Sequence, residues 1–161
     1  MLKFLLATAI FLGGYSAIAQ PSWISASQVV AQAQDTDAKV TQVEVTPEPN
    51  NYTFAVTIDS PDTGCDRYAD WWEVITPEGE LLYRRVLLHS HVDEQPFERS
   101  GGSVAIQPQQ EVIVRVHMSS DGYSKFARRG TAASGFAAVT LAEDFANNLE
   151  SVEPLPQNCA F

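Results

Sequence analysis

Period-two alternation between turn signals is the pattern that most limits what this chain can become. In 52–58, Tyr52, Phe54, Val56 and Ile58 fall on one face and Thr53, Ala55 and Thr57 on the other. That is the mark of a half-buried strand. The alternation returns in 111–118, where Val112, Val114, Val116 and Met118 face one way and Ile113, Arg115 and His117 the other. Breakers separate such runs, among them Ser60-Pro61-Asp62-Thr63-Gly64 and Pro77-Glu78-Gly79, and no stretch carries a convincing amphipathic helical repeat. The expected strands are 40–45, 52–58, 70–76, 80–89, 103–106, 111–118 and 136–141. About seven short strands with regular turns predict an all-β fold, an antiparallel two-sheet sandwich of immunoglobulin or fibronectin type III kind.

The ends of the chain read differently. Lys3, the apolar run 4–14 and Ala17-Ile18-Ala19 before Gln20 make residues 1–19 a secretory signal peptide. The run is shorter than the ~20 residues a spanning helix needs. No Cys follows the cleavage point, so a lipoprotein anchor is not expected. Residues 20–39 read as a linker, 40–142 as the sandwich domain, and 143–161 as an acidic tail. Export, to periplasm or extracellular space, lets the two cysteines pair. A Cys65–Cys159 disulfide would tie the tail to the middle of the chain.

The net charge is −10, and loss of the leader with Lys3 takes it to −11. Such an excess repels nucleic acid and anionic lipid, which need a basic footprint. No nucleic-acid partner and no membrane span in the mature chain are expected; the partner is an unknown protein or small ligand.

Antiparallel strands alternate direction, so alternate loops share a pole. Loops 59–69, 90–102 and 119–135 then meet at one rim, and short turns occupy the other. Long loops on a rigid scaffold are where function usually sits. The rim would hold Asp66, Tyr68, Asp70, His89, His91, Glu94, Arg99 and His117. His89 and His91 project to the same side of an extended chain. With Glu94 or His117 they could chelate zinc or copper. Asp62, Asp66, Asp70, Asp93 and Glu94 could instead gather calcium, although loop carboxylates more often hold turns together. Glu94 and Arg99 flank Phe97, a pattern that would peg the long loop to the domain. Of Trp71 and Trp72, which point to opposite faces, one should fill the core. An enzyme is the minority expectation, with no catalytic residue assigned. Ser90 faces away from its histidine neighbours, and a filled sandwich seldom offers the cleft that paired carboxylates need. No cofactor is expected unless the metal alternative holds. The leading expectation is a binding or interaction module using one loop rim. Divalent-metal binding is the alternative, and a small hydrolase using rim carboxylates the second.

The stretch TGCDRYADWWEV, the Gly turn, LLYRRVLLHSHVDEQPFERSGG and VIVRVHMSSDGYS together resemble a family of small secreted bacterial proteins of unknown function. The resemblance runs from about Tyr52 to Tyr123. Family members often carry a Trp near the position of Cys65, and a His in the loop where this chain has Asp121. The resemblance implies export and supplies no activity to carry over. It also implies that the cysteine pair is a local addition.

Overall fold

The structure is a computed structural model, and it describes residues 37–48 and 51–160. The expected signal peptide and most of the expected linker lie outside the described residues. Nine strands form: β1 (Lys39–Glu48), β2 (Asn51–Asp59), β3 (Ala69–Ile75), β4 (Leu81–Val86), β5 (Phe97–Val104), β6 (Val112–Met118), β7 (Gly122–Tyr123), β8 (Phe126–Thr131) and β9 (Gly135–Thr140). A short 3-10 turn follows at Asn147–Ser151. The all-β class is therefore as expected. Among the described residues, no helix is long and apolar enough to cross a membrane.

Two details differ from expectation. The described residues form nine strands rather than about seven, and these hydrogen-bond as one mixed sheet in the order β4-β3-β6-β8-β1-β2-β5, with β7 on β6 and β9 on β8. The β1–β8 pair is parallel and consists of Lys39 opposite Phe126 alone; the other pairs are antiparallel. This seam joins a β2–β5 half to a β3–β4–β6 half. Arg128 reinforces it by donating to the carbonyls of Val40 and Thr41.

The core lies between these halves. Phe54, Val56 and Ile58 come from β2, Trp72 and Val74 from β3, Phe97 and Val104 from β5, and Val112, Val114, Val116 and Met118 from β6. The ends of the sheet also approach each other. A Cβ placed on Gly101 of β5 would lie 2.6 Å from Tyr83 Oη of β4 and 2.9 Å from Trp72 Cζ2. Only glycine lets β5 come so close.

Strands β3 and β6 are buried along their whole length. Alternation therefore does not separate an inner from a wet face there. A second apolar cluster, Ile75, Ile113, Ala127 and Leu149, covers the other face, with Phe145 and Ala146 packed on it. The chain's own C-terminal segment supplies that cover. Trp72 fills the core, and Trp71 is buried as well.

Burial on this second face would strand three charges if they were apart. The register sets Glu73 opposite both Arg84 of β4 and Arg115 of β6. Arg84 donates Nε–H to Glu73 Oε2 at 2.8 Å and Arg115 donates Nε–H to Oε1 at 2.8 Å. The remaining guanidinium protons reach out to the C-terminal segment. Arg115 donates to the carbonyls of Phe145 and Ala146, at 2.6 and 3.0 Å. Arg84 donates to those of Leu149, Val152 and Pro154. Two arginines fixed by one carboxylate thus clamp a strap that has little backbone pairing of its own. The Cys65–Cys159 disulfide forms as expected and fastens the strap's far end.

Candidate functional site at the loop rim

The loops 60–68, 87–96 and 119–125 interlock at one pole. The backbone N–H of Ser60 donates to Gln95 Oε1 at 2.9 Å, and Gln95 Nε2 donates to Ser60 Oγ and to the His91 carbonyl, each at 3.1 Å. Leu87 N–H donates to the Asp70 carbonyl and Ser119 N–H to that of Tyr68. Arg67 pairs with Asp121 at 2.8 Å.

Asp62 organises this pole. Its Oδ1 accepts from Ser60 Oγ at 2.7 Å and Ala69 N–H at 3.0 Å, and its Oδ2 accepts from His91 N–H at 2.8 Å. One buried carboxylate thereby ties the entry of β3 to the histidine loop. Holding turns together is the role expected of such loop carboxylates, but the tie from Asp62 across to the histidine loop was not foreseen. A Ser-Pro-Asp turn ahead of a strand was its sole signal.

The expected site residues divide into two groups. His89, His91, Glu94 and Arg99 gather around Phe97. The His91 ring stacks on Phe97 with centroids 3.7 Å apart and planes 11° apart, and the His89 ring lies 4.6 Å from it. Arg99 donates to Glu94 Oε2 at 2.9 Å and lies over the Phe97 ring. That contact holds the Glu94 carboxyl below its ordinary range. Asp70 and His117 form the second group, 2.7 Å apart through Nδ1. His117 stacks on Trp71 with centroids 3.6 Å apart, and its Nε2 faces Glu150 of the strap at 3.8 Å. Tyr68 is buried between the groups, its hydroxyl pushed up by burial and by the nearby Asp70 and Asp62 charges. Asp66 is exposed. Glu94 is thus committed to Arg99 and His117 to Asp70, and neither is placed to complete a set with His89 and His91. Among the described residues, no three His, Cys, Asp or Glu side chains are arranged to hold a metal ion.

Among the described residues Trp71, Trp72 and His91 bury side-chain nitrogens without a partner, and of the three His91 lines a cavity at the rim. Its side chain is 1% exposed, yet neither ring nitrogen has a hydrogen-bond partner. An unpaired buried polar group costs about 1–3 kcal/mol, so such groups call for an explanation. Burial, reinforced by the Arg99 charge, lowers the pKa and favours the neutral ring with its open lone pair. His91 lines a cavity of about 410 Å³ with Gly64, His89, Val92, Asp93 and Ala160. The disulfide partners' neighbours, Gly64 and Ala160, form its far wall. Val92, one of the large apolar side chains left exposed, is part of that lining. A second cavity, of about 450 Å³, includes Arg67, Tyr123 and Lys125. Its basic groups are already matched, Arg67 with Asp121, Lys125 with Asp37 and Arg115 with Glu73, and it is lined by no buried side-chain nitrogen without a partner.

No family model matches the chain, and no solved structure matches it. A protein of Halomicrobium mukohataei described as "Putative lipoprotein" is 44% identical over 70 residues, which is 44% of this chain and 34% of that protein. The chain thus matches about a third of the length of this curated relative.

Proposed function

We propose that the chain is an exported binding module that takes its ligand at the loop rim, in the cavity walled by Gly64, residues 89–94 and Ala160. One observation carries the reading: a buried imidazole with both nitrogens unmet stands on the wall of that cavity. A ligand offering one donor or acceptor there would recover the free energy now forgone. Two things support export. One is the disulfide, since such bonds persist in oxidising compartments; the other is the relative described as a lipoprotein. The sheet is read as a sandwich of immunoglobulin kind, closed along one side by the single β1–β8 contact, because one core is shared by both halves. Hydrolysis by rim carboxylates has less to support it. Arg99 keeps Glu94 ionised, so it has no proton to give at neutral pH.

A thermal-shift screen of amino acids, short peptides, monosaccharides, organic acids and divalent cations tests the reading. At least one class raises the Tm of the wild type and fails to do so for His91→Phe, which keeps the stack on Phe97. The same shift persists in Lys125→Gln at the second cavity. Shifts that survive His91→Phe, or no shift from any class, overturn it.

A further inference from the structure

The rim reading leaves the ligand's chemistry open, and the two imidazoles narrow it. Their ring centroids stand 4.6 Å apart, with 43° between the planes. Two imidazoles bound to one ion through bonds of about 2.0 Å have centroids about 4.5 Å apart at a right angle and about 5.1 Å apart at a tetrahedral angle. The observed spacing suits one shared ion, and it lies nearer the square arrangement.

The buried ring is also backed in the manner of a ligand. His91 Nδ1 lies 3.8 Å from Asp62 Oδ2, beyond hydrogen-bond reach but close enough for the carboxylate to take up that N–H once an ion sits on Nε2. A ligating imidazole commonly turns its other N–H toward a carboxylate, which fixes the tautomer and raises ligand basicity. Asp62 is itself pinned by Ser60, Ala69 and the His91 backbone, so it is a positioning residue. Asp93 lies on the same cavity wall, exposed. Among the described residues its side chain makes no ion pair and no hydrogen bond. Glu94, by contrast, is spent on Arg99.

We propose that His89 and His91 are the two nitrogen ligands of a divalent transition-metal site on the rim cavity, with Asp93 or water supplying oxygen, and that Cu(II) is the ion it prefers. The assignment rests on the rim reading above and specifies its ligand. Tetragonal nitrogen and oxygen donors suit Cu(II), which also heads the affinity order of divalent first-row ions. Two nitrogens are set in advance and the oxygen must swing in, so affinity falls short of that of a site with every protein ligand preset. The net charge of −10 favours a cation throughout.

The test is calorimetric titration of the untagged, chelator-stripped, disulfide-intact chain with Cu(II) and with Zn(II), beside electron paramagnetic resonance of the copper form. Expected are one Cu(II) per chain, imidazole nitrogen coupling in the spectrum, and zinc bound about tenfold or more weakly. His89→Gln and His91→Phe each lower copper affinity about tenfold or more, and His117→Gln leaves it unchanged. Because His89 is exposed, His89→Gln does not depend on a core residue for folding, and circular dichroism and Tm check it. No stoichiometric copper, no imidazole coupling, or unchanged affinity in His89→Gln overturns the assignment. If copper fails while His91→Phe still abolishes a shift by a non-metal ligand, the metal falls and the rim reading stands. If both fail, both fall.

Discussion

Replacing Glu73 by Gln should be among the most damaging isosteric changes in this chain. Glu73 is 0% exposed. Its carboxylate accepts from Arg84 at 2.8 and 2.6 Å and from Arg115 at 2.8 Å. Glutamine keeps the shape but removes the charge and turns half of the acceptor into a donor. Two buried guanidinium groups then lack a counter-ion. Breaking a buried pair by removing one partner costs about 3–5 kcal/mol, against a total stability of about 5–15 kcal/mol for a typical domain. At about 2–4 °C per kcal/mol for a chain of this size, Tm falls by about 6–20 °C. The loss should also be directional. Both arginines hold the strap by its carbonyls, so amide exchange in 145–154 rises before that of β2. Urea unfolding followed by Trp fluorescence gives the first quantity and hydrogen exchange the second. A cost below about 1 kcal/mol, or a strap that exchanges no faster than β2, would refute the clamp. The triple change Glu73→Leu, Arg84→Met and Arg115→Met separates charge from clamp. Apolar replacement of a buried ionic set is often neutral or stabilising, so the sheet should hold while the strap loosens.

Three other predictions follow from the same geometry. Asp62→Ala strands the Ser60, Ala69 and His91 donors at about 1–3 kcal/mol each where they stay buried, so urea unfolding should show a loss of about 3 kcal/mol or more, with a smaller loss for Asp62→Asn. Replacing Cys65 and Cys159 together by Ser opens a bridge between residues 94 apart, which chain entropy values at up to about 4–5 kcal/mol; a Tm unchanged by the double substitution would contradict that. Burial and the Arg99 and His89 charges lower the His91 pKa in the folded state, against smaller opposing effects of Asp62 and Glu94. The unfolded chain therefore binds the proton first as pH falls through about 6.5. Metal-free stability should drop from pH 7 toward pH 5, and His91→Phe should flatten that slope; equal slopes in both proteins would remove the buried neutral ring.

The sequence made some of this legible and hid the rest for definable reasons. Strand β2 was readable because Phe54, Val56 and Ile58 meet the core while the residues between them are half-exposed. The same reading of β6 was half right. Arg115 and His117 do face away from the first core, but the strap buries them, and that cover comes from residues thirty positions on, with no periodic signal. Glu73, Arg84 and Arg115, each in the middle of an apolar strand, were the available hint, since a charge there needs a partner on the neighbouring strand. Strand β5 begins at Phe97 rather than at the expected 103, because FERSGG carries two glycines and two charges that read as loop; Gly101 is required by the approach of Tyr83, not by a turn. Strand β8 was hidden in an expected loop by Arg128, Arg129 and Gly130. It lies beside β6, and β9 pairs β8 alone. Gly130 is needed because Gly135 O lies 2.0 Å from where its Cβ would stand. The meeting of 60–68, 90–96 and 119–125 followed from strand direction, but 97–102 and 126–131 of the expected loops are strand, and the turn after β8 sits by the 107–110 turn, where Ala133 N–H donates to the Pro108 carbonyl. What direction alone could not give was the partition of the two histidine groups, which depends on Arg99 and Asp70 reaching Glu94 and His117 first.

The central claim is that His89 and the unmet His91 imidazole make one pole of the sheet a metal-ion site, and paramagnetic line broadening tests it most directly. Substoichiometric Cu(II) added to the isotope-labelled, disulfide-intact chain should erase the backbone amide signals of Gly64, 89–94 and Ala160 first, leaving β1 and β9 sharp. Broadening centred on Asp70, His117 and Glu150, or spread evenly over the acidic surface, would contradict it.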